Sequence, residues 1–264
     1  MIIGRAIIVT APSVKADKIL NNNTWEVIKQ VSDRKQGQNF WAIGDCKQIT
    51  MNGRVSDILT LTNYTAWVYI IGFNHNAERE GNGITFQGFK ATDKGTPVCL
   101  VDSQYDKNEK TPDLLFVMNI SPTNATGWTS CQMRQDIMPL IKAAFPSDLQ
   151  AVIKPSTIFT KQSSGDAACT ATQDEVFLLA EYEIFGTRHY ASTDEANCLK
   201  QYTYYSAGNS KVKYKHNATS SAATWWERSP RTGNSSYFCA VSTGGNADSR
   251  YATFSYGVSP CFKV

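Results

Sequence analysis

His75, set between Asn74 and Asn76 with Glu78 and Glu80 close behind, is the one place in this sequence where a base and carboxylates gather. Such a group could serve general acid–base catalysis. No nucleophile motif of the Gly-x-Ser-x-Gly type accompanies it, so the segment reads as a polar loop. Glu227 and Arg228 are adjacent and could serve acid–base chemistry, but they read as a structural ion pair or as filling a buried hydrogen-bonding role. His75, His189 and His216 stand at no ligand spacing from one another. The seven cysteines, Cys46, Cys99, Cys131, Cys169, Cys198, Cys239 and Cys261, contain no Cys-x-x-Cys step. That pattern, with its odd total, argues against structural zinc and against a disulfide scaffold. Asp102, Asp106 and Asp113 could offer oxygens to a calcium ion but lack the regular spacing of an EF-hand loop. The sequence thus predicts no enzyme, no catalytic residue, no metal and no cofactor.

The informative chemistry lies at the C-terminal end. Trp225-Trp226-Glu227-Arg228-Ser229-Pro230 opens a segment that closes with Gly257-Val258-Ser259-Pro260-Cys261-Phe262-Lys263-Val264. Between Arg231 and Tyr256 there is no Lys, Glu, Gln, Met or Trp. Tyr, Ser, Asn, Thr, Asp, Arg, Gly and Phe dominate instead, the vocabulary of an antibody-like paratope. Tyr237, Tyr251, Phe254 and Tyr256 offer large contact area at low side-chain entropy cost, and Ser242, Asp248, Ser249 and Thr253 offer adaptable hydrogen bonds. Paired tryptophans ahead of a strand could stack sugars, but the reading favoured here is core.

Several motifs carry a family resemblance. They are the Trp-Trp-Glu-Arg-Ser-Pro start, Phe238-Cys239-x-Val241, Gly245-x-Ala247, Ala252, Ser255-x-Gly257-Val258 and the ending Pro260-x-Phe262-x-Val264. With them go the upstream Phe40-Trp41-Ala42-Ile43-Gly44-Asp45, Ile70-Ile71-Gly72-Phe73-Asn74-His75-Asn76, Ser130-x-Gln132-Met133-Arg134 and Leu178-Leu179-Ala180-Glu181. Over residues 24–264 the chain resembles variable proteins of diversity-generating retroelements, found in gut bacteria and their phages.

That resemblance implies an α+β C-type-lectin-like fold, with mixed helices around short antiparallel sheets and a loop-rich variable region at about 225–264. It also implies a hypervariable, receptor-recognising surface. In such systems template adenines are copied promiscuously and Asn codons are favoured targets. Base changes at the adenines of AAC or AAT never yield Lys, Glu, Gln, Met or Trp, which accounts for the gap in composition. The implied ligand-binding positions are Arg231, Thr232, Tyr237, Ala240, Ser242, Thr243, Gly244, Asn246, Asp248, Ser249, Arg250, Tyr251, Thr253, Phe254 and Tyr256. Trp225, Trp226, Val241, Val258 and Phe262 are the implied scaffold. Cys261 and Lys263 depart from the usual ending, and Lys263 lies outside what Asn codons can reach. The implied partner is an unknown protein or glycan on a cell surface, and the implied location a phage tail or a bacterial surface. The chain is expected either as a homo-oligomer or as part of a phage particle. Two further readings stand beside this one. A structural tail or fibre component would have no ligand of its own, and a formylglycine-generating type of oxidase would use Cys239 with Cys261 to hold copper.

These side chains need elements to position them. Thr24 is placed to cap a helix through Trp25, Ile28 and Val31. Trp41 to Asp45 and Ile49 to Gly53 read as two short strands, the second ending at an Asn-Gly turn. Ala66 to Phe73 reads as a central strand buried on both faces, and Ile84 to Phe89 as a further strand. Residues 102–127 are rich in turn formers. Cys131 to Phe145 has helical spacing that Pro139 should kink or restart, and Pro146 to Leu149 reads as a fresh cap. A Ser/Gly-rich loop is expected over residues 162–172, then a buried strand from Val176 to Ala180. Ser192-Thr193-Asp194-Glu195 reads as a capping box opening a helix through Leu199 to Tyr202, stopped by Ala207-Gly208-Asn209. Residues 1–23 read as an N-terminal strand and connector arm, ahead of a single domain over 24–264.

Composition bounds the rest. The chain has 264 residues, which permits either one large α/β domain or two small ones, and one is the favoured reading. Twenty-six Lys plus Arg against 23 Asp plus Glu leave a net charge of +3. The only basic cluster, Lys211, Lys213, Lys215 and His216, reads as a solvated strand face and not as a nucleic-acid footprint. The apolar opening Met1 to Thr10 is broken by Arg5, so no signal peptide and no membrane insertion are expected, and synthesis in the cytoplasm with reduced cysteines is.

Overall fold

Thr24 caps the first helix, α1 (Trp25–Asp33), its side chain accepting a hydrogen bond from the amide of Val27. Trp25, Ile28 and Val31 are buried along one face. This is a computed structural model, and it describes residues 14–108, 114–161 and 169–264. After α1 come α2 (Gly37–Phe40), β1 (Cys46–Ser56), β2 (Leu59–Phe73), α3 (Ala77–Glu80), β3 (Ile84–Lys90) and β4 (Val98–Cys99). A π-helical turn, Met133–Ile137, leads into α4 (Met138–Ala144), and Pro139 sits in the first turn of α4. Proline thus restarts the helix where its missing N–H costs nothing. Then follow α5 (Ser147–Gln150), β5 (Ser156–Thr160), β6 (Thr170–Asp174), β7 (Val176–Phe177), α6 (Glu181–Phe185), α7 (Glu195–Cys198) and α8 (Thr203–Ser206). The chain closes with β8 (Lys213–Lys215), β9 (Ala218–Ala223), β10 (Trp225–Pro230), β11 (Tyr237–Val241), β12 (Ala247–Tyr251) and β13 (Cys261–Lys263).

The architecture is mixed α+β, mostly sheet with short helices. The main sheet runs β1-β2-β3-β13-β7, and its neighbouring strands are all antiparallel. β2 lies between β1 and β3, and the apolar run Ala66 to Phe73 is almost wholly buried. The last strand, β13, is inserted between β3 and β7, so Phe262 faces Phe86 on one side and Val176 on the other. Phe262 stacks on Phe86 at 5.4 Å and takes edges from Trp25 and Phe145. Through these rings α1, β3 and the C-terminus share one core, a single apolar cluster reaching from Leu20 to Val264. A second sheet, β10-β11-β12, is also antiparallel. Trp225 of β10 also forms a bridge with Gly257, and the adjacent Val258 bridges Leu100, the residue after β4.

Several expectations are corrected. Residues 41–45 form a turn, with the Asp45 carboxylate accepting from the Ala42 amide, and β1 is one strand from Cys46 to Ser56. The Asn52-Gly53 signal is absorbed as a bulge between Met51 and Gly53, because the long β2 keeps offering partners beyond it. The capping box does not close. Asp194 caps α7 without a side-chain bond, and Glu195, fully buried, accepts from Ser229 Oγ at 2.9 Å. Lys213 is no solvated residue: it is 1% exposed, and its Nζ donates to Tyr69 Oη at 2.7 Å and sits 4.9 Å from the Trp225 ring centroid. Burial pulls its pKa down to about 8. Cys169 and Cys198 form a disulfide, which places two of the seven thiols in a pair that spacing did not suggest. The N-terminal strand expected before Pro12 lies outside the described residues, as does most of the Ser/Gly-rich loop. Residues 14–23, expected as part of an arm, pack on the domain: Leu20 is in the core, and Trp41 Nε1 and Lys47 Nζ donate to the carbonyls of Asp17 and Asn23. Among the described residues no helix is long and apolar enough to cross a membrane.

Candidate ligand-binding surface

The β11–β12 hairpin pairs Tyr237 with Tyr251, Cys239 with Ser249 and Ala240 with Asp248. Its tip, Ser242 to Asn246, is closed by Ser242 N donating to Asn246 O at 2.8 Å and Gly245 N to Ser242 O at 2.9 Å. Gly245 adopts a φ of +79°, which the tight turn requires and glycine permits at low cost. Thr243, Gly244 and Asn246 are exposed there and Ser242 is half-buried. The residues before β11 are pinned by Asn124, whose Nδ2 donates to the carbonyls of Arg231, Asn234 and Tyr237. Asn124 lay in the stretch read only as turn-rich, and nothing local marks it as an anchor for residues more than a hundred positions away.

A continuous strip of rings and guanidinium groups runs across this hairpin. Tyr190 and Tyr237 flank the Arg231 guanidinium at 5.2 and 5.5 Å. Tyr237 meets Tyr251 edge-on at 5.1 Å, Tyr251 meets Phe254 at 6.4 Å, and Phe254 stacks on Tyr256 at 6.1 Å. Arg250 lies over Tyr256 at 5.6 Å and pairs with Asp248 at 2.6 Å. Arg231, Thr232, Tyr237, Asp248, Arg250, Tyr251 and Phe254 are all half-buried, so each keeps part of its side chain in water. Partly exposed Tyr and Arg held by one another give large contact area with few free rotors to freeze.

Four of the fifteen expected positions are corrected, because they face inward. Ala240 is fully buried opposite Trp226. Ser249 is 8% exposed, and its Oγ accepts from Arg231 Nη1 at 2.9 Å. Thr253 is 2% exposed and bonds Asn108 through its hydroxyl. Tyr256 is 5% exposed; its ring packs edge-on against Trp226 and Tyr105, and its hydroxyl donates to Asp106 Oδ1 at 2.7 Å. Each is covered by its own neighbours: Ala240 and Ser249 lie within the three-stranded sheet, whereas Thr253 and Tyr256 follow β12 in an irregular segment held against Asn108 and Asp106. The scaffold expectation holds for Trp225, Trp226, Val241, Val258 and Phe262, all fully buried, and Cys261 and Lys263 join them.

The interior also holds several buried polar side chains. Arg228 does not pair with Glu227, since neighbours on a strand point apart. It clasps Glu183 through Nη1 at 2.6 Å and Nη2 at 2.8 Å, with both side chains fully buried. Its remaining donors reach Thr160 Oγ1 and the carbonyls of Leu178 and Phe159. His75 is no exposed loop residue: it is buried and stacks on Tyr202 at 3.6 Å. Burial lowers its pKa to about 4, and burial raises that of nearby Glu80 to about 7. The segment following His75 is tied down by Asn76, which donates to Glu80 Oε1 and to the carbonyl of Cys198. Cys239 and Cys261, weighed as a copper pair, lie on strands of different sheets, and it is Glu181 and Glu227 that gather around Cys239.

Fold and surface together define a mixed α+β protein that displays a Tyr/Arg strip on the β11–β12 hairpin of its three-stranded antiparallel sheet. Residues 113–264, more than half of the chain, match the family described as Domain of unknown function (DUF6273), and the chain belongs to it. No curated protein matches the chain. No solved structure matches it either.

Proposed function

We propose that this protein is a non-enzymatic receptor-recognition protein of the retroelement-diversified kind. On this reading it has a C-type-lectin-like scaffold and binds a protein or glycan on a cell surface, from a phage tail or a bacterial surface. The observation that carries the reading is the coincidence of two independent features. The segment 231–256 is confined to residue types reachable from Asn codons at their adenines. Eleven of its residues, Arg231, Thr232, Tyr237, Ser242, Thr243, Gly244, Asn246, Asp248, Arg250, Tyr251 and Phe254, also keep contact with solvent above a sealed interior. A face built from rigid strands can exchange its outer side chains without unfolding what lies beneath. Ala240, Ser249, Thr253 and Tyr256 belong to that interior and are expected to vary little.

The test is genetic. The DNA beside the gene should hold a near-copy of the codons for 225–264, differing at adenines and lying next to a reverse transcriptase. Isolates should differ at the eleven outer positions. Variation spread evenly over the buried positions, or a locus without the near-copy, would overturn the reading.

A further inference from the structure

Glu227 is fully buried, and neither of its carboxylate oxygens has a hydrogen-bond partner. It stands on β10 one residue beyond Trp226, which pairs with Ala240 of β11, and Cys239 adjoins Ala240. Glu181 opens α6, whose N-terminus is drawn to β10 by Arg228 N donating to Leu179 O and Glu181 N donating to Ser229 Oγ. The Glu181 carboxylate is fixed in direction by the amides of His189, Tyr190 and Ala191. One oxygen of Glu181, one of Glu227 and the Sγ of Cys239 lie within 4.8 Å of one another, all three residues buried.

We propose that Glu181, Glu227 and Cys239 form an internal divalent-metal site, and that Zn²⁺ is the ion they fit. Calcium and magnesium take oxygen ligands alone, whereas zinc accepts a thiolate beside carboxylates. Zn–S and Zn–O bonds of about 2.3 and 2.0–2.2 Å require donors that converge as these three do after a small inward movement. The second Glu227 oxygen, also without a partner, can fill the fourth position. Binding releases the thiol proton of Cys239 and any proton held by Glu227. Charge favours the ion as well. The buried Arg228 guanidinium is paired with Glu183, and among the described residues neither Glu181 nor Glu227 stands in an ion pair. A second buried group, His75, Glu80 and Glu183, has similar spacing but already holds positive charge, with Arg228 on Glu183 and Lys263 Nζ on the Glu80 carbonyl. An ion bound by Glu181, Glu227 and Cys239 joins α6, β10 and β11, and so braces the sheet that carries the outer strip without touching a ligand.

The test uses the full chain, unfolded with chelator and refolded with Zn²⁺, Co²⁺ or chelator, in a Cys46→Ser background that removes the part-exposed free thiol. After dialysis, one Zn²⁺ per chain and a higher melting temperature are expected, and the Co²⁺ form should show a thiolate-to-cobalt charge-transfer band. Cys239→Ser should abolish the band, and Glu227→Gln should weaken metal retention by about tenfold or more. Parent protein that retains neither ion overturns the proposal, as does retention unchanged in both variants. Should Cys239→Ser fail to fold by circular dichroism, Cys239→Ala makes the same comparison without burying a hydroxyl, and the parent measurement is decisive in any case.

Discussion

Phe254 stacks on Tyr256 with 6.1 Å between ring centroids and 11° between planes, and the boundary between display surface and scaffold passes between them. Phe254 keeps one side in water, while Tyr256 is sealed against Trp226 and Tyr105 with its hydroxyl on Asp106. Residues two apart along an irregular segment thus have opposite tasks.

Alanine substitution should separate them. Tyr256→Ala removes a buried ring and is expected to cost about 3–5 kcal/mol. Tyr251→Ala and Phe254→Ala lose partly exposed ring contacts and should each cost about 1 kcal/mol. Urea denaturation measures all three; equal losses at Tyr251 and Tyr256 would mean that the strip is core.

The Arg228–Glu183 clasp yields a second expectation. Arg228→Met leaves a buried carboxylate unpaired and should cost about 3–5 kcal/mol. Arg228→Lys should also destabilise, because one ammonium cannot span both Glu183 oxygens and the Thr160 hydroxyl. Adding Glu183→Leu to Arg228→Met should recover part of the loss, a coupling that a double-mutant cycle reads directly.

His75 and Glu80 predict opposing pH dependences. The pKa of His75 falls from 6.5 to about 4 on folding, so between those values the unfolded chain holds the extra proton and stability rises with pH. The pKa of Glu80 rises from 4.5 to about 7, so across that window the folded chain holds the extra proton and stability falls as pH rises. The two slopes offset each other. Relative to the parent, His75→Phe, which can keep the stack on Tyr202, should lose stability as pH goes from 4 to 6.5. Glu80→Gln should gain it from 4.5 to 7. Urea midpoints across this pH range provide the measurement.

The Cys169–Cys198 bond spans 29 residues in sequence. Replacing both cysteines by serine should cost about 3.6 kcal/mol by the loop-closure argument. A non-reducing peptide map should find this pair joined, and thiol titration of the denatured chain should count the five others, Cys46, Cys99, Cys131, Cys239 and Cys261, as free. Seven reactive thiols would refute the bond.

What could be read from the residues themselves was set within a few positions along the chain. Thr24 as a cap, Pro139 as a helix restart, Ala66 to Phe73 as a buried strand and Trp225 with Trp226 as core all follow from side-chain chemistry acting on the nearest backbone. The depleted composition of 231–256 is likewise a property of the sequence. Only the tertiary structure decided that Ala240, Ser249, Thr253 and Tyr256 turn inward, that Arg228 takes Glu183 instead of its neighbour, and that Lys213 lies under Trp225. It alone brought Glu181, Glu227 and Cys239 together. Alternation along a strand fixes that neighbours part, but not which of them meets the core. That choice, and the partner of every buried charge, is made by chain segments folded in from far away in sequence.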